Sequence, residues 1–397
     1  MKKIFLSTIS FLMIVFFSGA SVNTATDITP VFVSNINHAT TQKEQNVHKE
    51  FKVNSGQLLY LDLRSGASIN VEGWDKELVS IDVELKGRDW EDVSLNFDNS
   101  SSGVTVTSEY EGRDRDRNAK VSFTIKVPQK FNIKFETMGG GVKLKNIEGE
   151  MNGTTMGGSL TLSNLKGGLS LKTMGGNIEL TDSDVDGKVS TMGGTVDIIN
   201  VTGNVDGKSM GGKVTVKNLK RRDGSSVGKE VNISTMGGAI DVDTAPNGAD
   251  VHTMGGGITI NSANKFVKAK TMGGDILIKT VDGSVTATTM GGDVEVTETG
   301  TGSDKDIELK SMSGDVTLVV PPGFSMNVEA KIVYDEDDRG DYKIYSDFSL
   351  SESTKTKSNG RRGHKSEILT GTGSFNGGQN TVTISTVVGN IYIKKGK

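Results

Sequence analysis

Carboxylates at close spacing are the residues here with the clearest chemical potential. Asp182, Asp184 and Asp186 alternate along the chain and run into Gly187. Alternating carboxylates before a glycine turn open a calcium loop, where oxygen donors wrap a hard cation. The bidentate glutamate that would close such a loop falls on Gly193, which has no side chain. The motif occurs once, so a plain Asp/Gly turn is the simpler reading, and no metal ligand is expected. The histidines His38, His48, His252 and His364 have no ligand spacing. His252 falls on an outward position and is expected to be solvated. With no cysteine in the chain, disulfides, thiolate metal sites, cysteine nucleophiles and lipoprotein attachment are excluded. No G-x-S-x-G, H-E-x-x-H or phosphate loop is present. No catalytic residue, cofactor-binding residue or cofactor is therefore expected, and the chain reads as a non-enzyme.

The elements that would position such groups follow from one phrase, Thr-Met-Gly-Gly. Its methionine recurs at Met138, Met156, Met174, Met192 and Met210, then at Met236, Met254, Met272 and Met290. Within each series the step is 18 residues. Met312-Ser313-Gly314 is a degraded copy, and Thr386-Val387-Val388-Gly389 a last echo. A fixed short period means stacked units that share one core rather than an ordinary globular domain. Counting from Met as position 1, positions 5 and 7 are apolar, as in Leu160/Leu162, Ile178/Leu180 and Val196/Ile198. Polar residues such as Thr161, Glu179 and Asp197 lie between them. That alternation predicts a short strand with one face inward. A second strand over positions 14–18 carries Leu169/Leu171, Val267/Ala269 and Val285/Ala287 inward, and Lys172, Lys208 and Lys270 outward.

The expected fold is all-β: a single-stranded parallel β-helix, or β-solenoid, of 18-residue coils. Like strands of successive coils, such as those of Leu160 and Ile178, should pair in parallel. Ten coils would extend the stack to roughly 48 Å. The glycine pair suits a corner that needs positive φ or close backbone approach. The Met position has two readings. If the second strand runs straight, Thr at position 18 points inward and Met outward, exposing an apolar stripe. If the chain bends at Thr-Met, the flexible Met turns inward and fills the corner. We favour the buried corner.

Outside the array, Met1-Lys2-Lys3 and the apolar run Ile4–Phe17 end in Ser18-Gly19-Ala20. This reads as a signal peptide, residues 1–20, cleaved after Ala20 or Ala25 and too short for a membrane span. Residues 21–50 read as a flexible leader and 51–136 as an irregular β segment capping the solenoid. The regular array spans 137–318. Residues 319–397 form the closing coils with long loops and a cap, since open strand edges need covering. Extra residues fall near Lys220-Arg221-Arg222 and Thr301-Gly302-Ser303. The net charge of −4 argues against a nucleic-acid partner. No transmembrane segment is expected after signal removal.

Several of these stretches together resemble a known family. They are Gly73-Trp74-Asp75, the strand Val121–Pro128, the Thr-x-Gly-Gly-x-Ile-x-Ile coils, Gly371–Gly378 and Ile391-Tyr392-Ile393-Lys394. They are similar to the bacterial β-strand-repeat family known as putative adhesins, a domain of unknown function. The resemblance covers residues 51–397 and implies a right-handed parallel β-helix exported to the periplasm, the cell surface or the medium. It brings no catalytic residues. The expected role is binding or scaffolding at the cell envelope, with surface glycans or proteins as partners and the oligomeric state left open. A polysaccharide-active β-helix enzyme and a structural spacer are the alternatives.

Overall fold

The computed structural model describes residues 44–112, 118–220, 230–335, 342–359 and 364–396. The stretch read as a signal peptide and most of that read as a leader lie outside these residues, as does the basic loop from Arg221. Among the described residues the chain is all-β, with 31 strands in one hydrogen-bonded sheet and one helical turn, Trp90–Asp92.

The sheet is built from two parallel ladders. In one, Val142–Lys145, Leu160–Ser163, Ile178–Thr181 and Val196–Ile199 follow one another, with Leu160 opposite Ile178 and Ile178 opposite Val196. In the other, Glu148–Thr155, Lys166–Thr173 and Asp184–Thr191 are stacked, Leu171 facing Val189. Partners in these ladders are therefore 18 positions apart in the chain. Side chains alternate in and out along each strand, so every second residue joins a continuous core. Leu160, Leu162, Ile178, Leu180, Val196 and Ile198 are all fully buried.

Interruptions of the spacing leave the ladders intact. Across the longer gap, Val214 pairs with Ile240; across the next, Val294 pairs with Val316. The echo at the C-terminus is a genuine rung: Val316 pairs with Ile391 and Ile307 with Val382. The chain between adds a further parallel rung, Met326–Asp335 on Asn380–Thr386 and Ile344–Ser346 on Ile391–Lys395. Beyond Met326–Asp335 the sheet continues antiparallel through His364–Phe375 and Ser351–Asn359.

At the other end Glu44–Lys52 pairs antiparallel with Leu78–Gly87, which pairs antiparallel with Ala119–Pro128. Val93–Ser100 and Gly103–Tyr110 form a hairpin. One expectation needs correction here. The last residues of the stretch read as a leader, 21–50, belong to a strand, Glu44–Lys52. Its side chains are nearly all exposed, so it carries no burial pattern in the sequence and owes its order to backbone pairing with a neighbouring strand.

Candidate binding faces

The corner explains the repeated phrase atom by atom. Thr173 is fully buried, so its hydroxyl must find partners inside the stack. Its Oγ1 donates to the carbonyl of Gly158 in the preceding coil at 2.7 Å and accepts from the N–H of Gly176 at 3.2 Å. Thr191 does the same with Gly176 and Gly194, and Ser209 with Gly194 and Gly212. A hydroxyl at this position satisfies backbone groups that the bend removes from the ladders. Thr386 repeats the bond to Gly314 at 2.9 Å, so the echo forms the same corner.

The second glycine is required by crowding. A Cβ on Gly176 would lie 2.3 Å from the carbonyl oxygen of Gly158, and one on Gly212 2.1 Å from that of Gly194. The first glycine has more room: a Cβ on Gly175 would stand 3.2 Å from the carbonyl of Gly157. Close approach of stacked backbones, rather than positive φ, is what most of these corners demand.

The methionines overturn the favoured expectation of a buried corner. All ten, from Met138 to Met312, are exposed, between 37% and 58%. The strand runs straight through Thr, which points inward, and Met therefore points outward. The bend comes at the glycines. Inward space at the corner is already taken by the threonine column, so no cavity remains for a thioether to fill.

A second column follows the inward pair in the five coils from Met138 to Met210. Asn146, Asn164, Asp182, Asn200 and Asn218 all have φ between 49° and 59°, a left-handed turn that Asn and Asp tolerate better than other non-glycine residues. Their side chains bond along the stack: the Nδ2 of Asn164 donates to Asn146 at 2.7 Å, and that of Asn218 to Asn200 at 2.8 Å. Asp182 belongs to this column and accepts from the Nδ2 of Asn200 at 3.0 Å. Asp186 accepts the N–H of Asn204 at 2.7 Å. The calcium-like motif is thus divided between a turn and the following strand. No group of three or more His, Asp or Glu side chains is arranged to hold a metal among the described residues. His252 is exposed beside Asp250, 2.6 Å away.

One carboxylate stands apart. Glu298 is 1% exposed and lies where the register shifts, opposite Val281. Burial pushes its carboxyl up to about 7, against the bonds from the Gly300 and Gly283 N–H groups and the charge of Lys305, which favour ionisation. Its Oε1 accepts from Gly300 at 2.7 Å and from Thr299 at 3.1 Å. Those bonds fold the four-residue insertion of this coil back on itself, a structural use of a buried acid. Sequence reading missed it because an acid at an inward position looks like an ordinary loop residue. A cavity of about 650 Å³ lies beside Met138, Met156 and Met174. Its two carboxylates are already paired, Asp62 with Arg64 at 3.5 Å and Glu136 with Lys134 at 3.6 Å.

At the C-terminal end Tyr345 and Tyr392 face each other on adjacent strands. Their rings stack 5.0 Å apart at 8°, with the Lys394 ammonium 5.3 Å from the Tyr392 centroid. Tyr345 is 47% exposed. Flat rings with polar tips suit contacts that are apolar on one side and wet on the other.

Residues 228–394 match the Toastrack family, DUF4097. The resemblance to a β-strand-repeat family of unknown function is thereby shown. The Toastrack match takes in the later coils and the C-terminal segment, including Glu298 and the tyrosine pair. No curated protein gives a significant match. Among solved structures, the chain is similar to a putative cell adhesion protein from Clostridium sporogenes ATCC 15579. Identity is 12%, coverage 89% of this chain and 100% of that one, and the TM-score 0.20. It is also similar to a putative adhesin from Parabacteroides distasonis ATCC 8503 at 11%, 89%, 97% and 0.27. A third, a putative adhesin from Parabacteroides merdae ATCC 43184, gives 10%, 89%, 97% and 0.26. Superpositions this loose bear on neither fold detail nor function.

Proposed function

We propose that this chain is an exported, non-catalytic β-solenoid of right-handed 18-residue coils that binds glycans or proteins of the cell envelope. The 18-residue offset of the ladder partners supports the coil size. The strong right-handed preference of parallel β crossovers supports the hand. Export rests on the charged start and apolar run of residues 1–20.

The observation that carries the reading is the repetition of outward polar side chains at every strand spacing. Lys172 and Ser190 are paired across neighbouring rungs, as are Glu179 and Asp197. Contacts that recur along a polymer add by multivalency, so no single one dominates. The stacked tyrosines offer an aromatic terminus to the same surface. An acid–base enzyme would need carboxylates assembled around a groove, whereas the cavity carboxylates are ion-paired and Glu298 is buried. The test incubates the protein with envelope polysaccharides and follows both binding and new reducing ends. Binding without turnover is expected, with Lys172→Ala changing affinity by less than about twofold and Tyr345→Ala by about fivefold. Sustained turnover, lost on changing one carboxylate in a folded variant, would make it an enzyme.

A further inference from the structure

The exposed methionines form a surface that nothing in the reading above uses. They occupy equivalent corners of successive coils, one strand spacing apart. Met236, Met254 and Met272 are directly stacked, the N–H of Met254 donating to the carbonyl of Met236 and that of Met272 to Met254. Exposed between 37% and 58%, the ten side chains present on the order of 900 Å² of apolar surface, beside ~800 Å² per partner in a standard protein interface. A patch of that size is unusual on a monomer.

The order of residues around the corner says what would cover it. Each Met is followed by two positions that are glycine throughout Met138–Met290. A ridge of thioethers therefore stands beside a strip without side chains. Outward positions two residues before Met carry Lys208, Lys270 and Lys310, the last already paired to Glu308. Three residues after Met, the C-terminal coils carry Asp275, Asp293 and Asp315. Lysine before the ridge and aspartate after it thus coincide in two coils, those of Met272 and Met312, whereas the Met210 coil has Lys213 after its ridge.

We propose that this corner is a self-association surface, occupied by a second copy of the chain lying parallel to the first. The two-fold axis runs along the stack. This rotation exchanges the two flanks of the corner while keeping the coil order. Each methionine ridge then rests in the other copy's glycine furrow, and Lys270 and Lys310 of one copy approach Asp275 and Asp315 of the other. An antiparallel pairing would instead set ridge on ridge and lysine against lysine. The interface is isologous, as a closed dimer requires, and methionine adapts easily to such packing.

The experiment has two arms. Sedimentation of the purified protein should give a two-chain mass. Changing Met174, Met210, Met254 and Met290 to Gln should raise the dissociation constant by at least about 100-fold, with the β-sheet circular dichroism spectrum unchanged because these side chains are outside the core. In the second arm, Met174→Cys, Met254→Cys and Met290→Cys are made singly in this cysteine-free chain and treated with a short bis-maleimide. In-register parallel pairing cross-links all three to dimers. Cross-linking confined to one variant would mark an antiparallel pair and overturn the arrangement. A single-chain mass up to about 100 µM, or a dimer indifferent to the four Gln changes, would overturn the proposal. Binding of a monomeric protein to phospholipid vesicles would assign the stripe to a membrane surface and overturn it equally.

Discussion

The regular coils and the two terminal segments solve the same packing problem under different constraints. Between Thr137 and Leu318 every coil lies between near-copies of itself, so each inward side chain must fit both. The core there is mainly Val, Ile, Leu, Thr and Ala, with Met151 and Glu298 as exceptions; most are branched or small residues that stack on their own kind in parallel ladders. The terminal segments have a like neighbour on one side only. There the chain turns to antiparallel pairing, and the largest fully buried side chains appear: Phe123, Phe131 and Phe135 at one end, Phe324 at the other. Gly153 marks the boundary, since a Cβ there would be 2.4 Å from the Phe135 ring. Repetition restricts side-chain size, and irregularity is what allows the stack to be closed.

The glycines give the largest test of this contrast. In the array, Gly176 is limited by a neighbouring backbone; Gly323, in the C-terminal segment, has open space but a φ of +86°. Gly176→Ala should cost at least ~3 kcal/mol, because a carbonyl oxygen of the preceding coil must move. Gly323→Ala should cost about 1–2 kcal/mol, the penalty of a left-handed backbone for a residue with Cβ. Urea unfolding of the two variants measures both. Equal costs would mean that the array yields to crowding as readily as its ends do.

Glu298 tests the point where the repeat is broken. Its carboxyl rises from an ordinary 4.5 to about 7 in the folded protein, so the folded state binds a proton that the unfolded state has released. The sign follows: this group costs no stability below about pH 4.5, and stability falls as pH rises from there to about 7, then levels off. The loss is on the order of 3 kcal/mol. Glu298→Gln should keep the acceptor for the Gly300 N–H, remove this slope, and be the more stable protein at pH 8. Thermal melts from pH 4 to pH 8 decide it, and parallel curves for the two proteins would show that Glu298 ionises freely.

A smaller effect separates the two roles of the asparagine column. Asn200→Ala should cost about 1–2 kcal/mol through its φ of 56°. Asn200→Gly relieves the backbone but removes the side-chain ladder, so its cost should be less than half of that. If Gly and Ala are equally damaging, the ladder bonds to Asp182 and Asn218 outweigh the turn.

Much of this architecture was legible in the residues themselves. The spacing of Met156, Met174 and Met192 anticipated which strands would pair. The alternation in Ile178-Glu179-Leu180 anticipated which side chains would be buried, because period-2 patterning is local and survives any arrangement of the coils. Asp182 was readable as a turn, yet its place in an asparagine ladder depends on neighbours 18 residues away. The direction of the methionines was beyond the sequence for the same reason. A bend at Thr-Met and a bend at Gly-Gly use identical residues. The choice falls to the threonine hydroxyl, which satisfies a carbonyl of the coil below and an N–H of its own corner only when it points inward. The ordering of Glu44–Lys52, the burial of Glu298 and the return of Val387 to the stack were likewise settled by tertiary contacts, since each depends on a strand from a distant part of the chain.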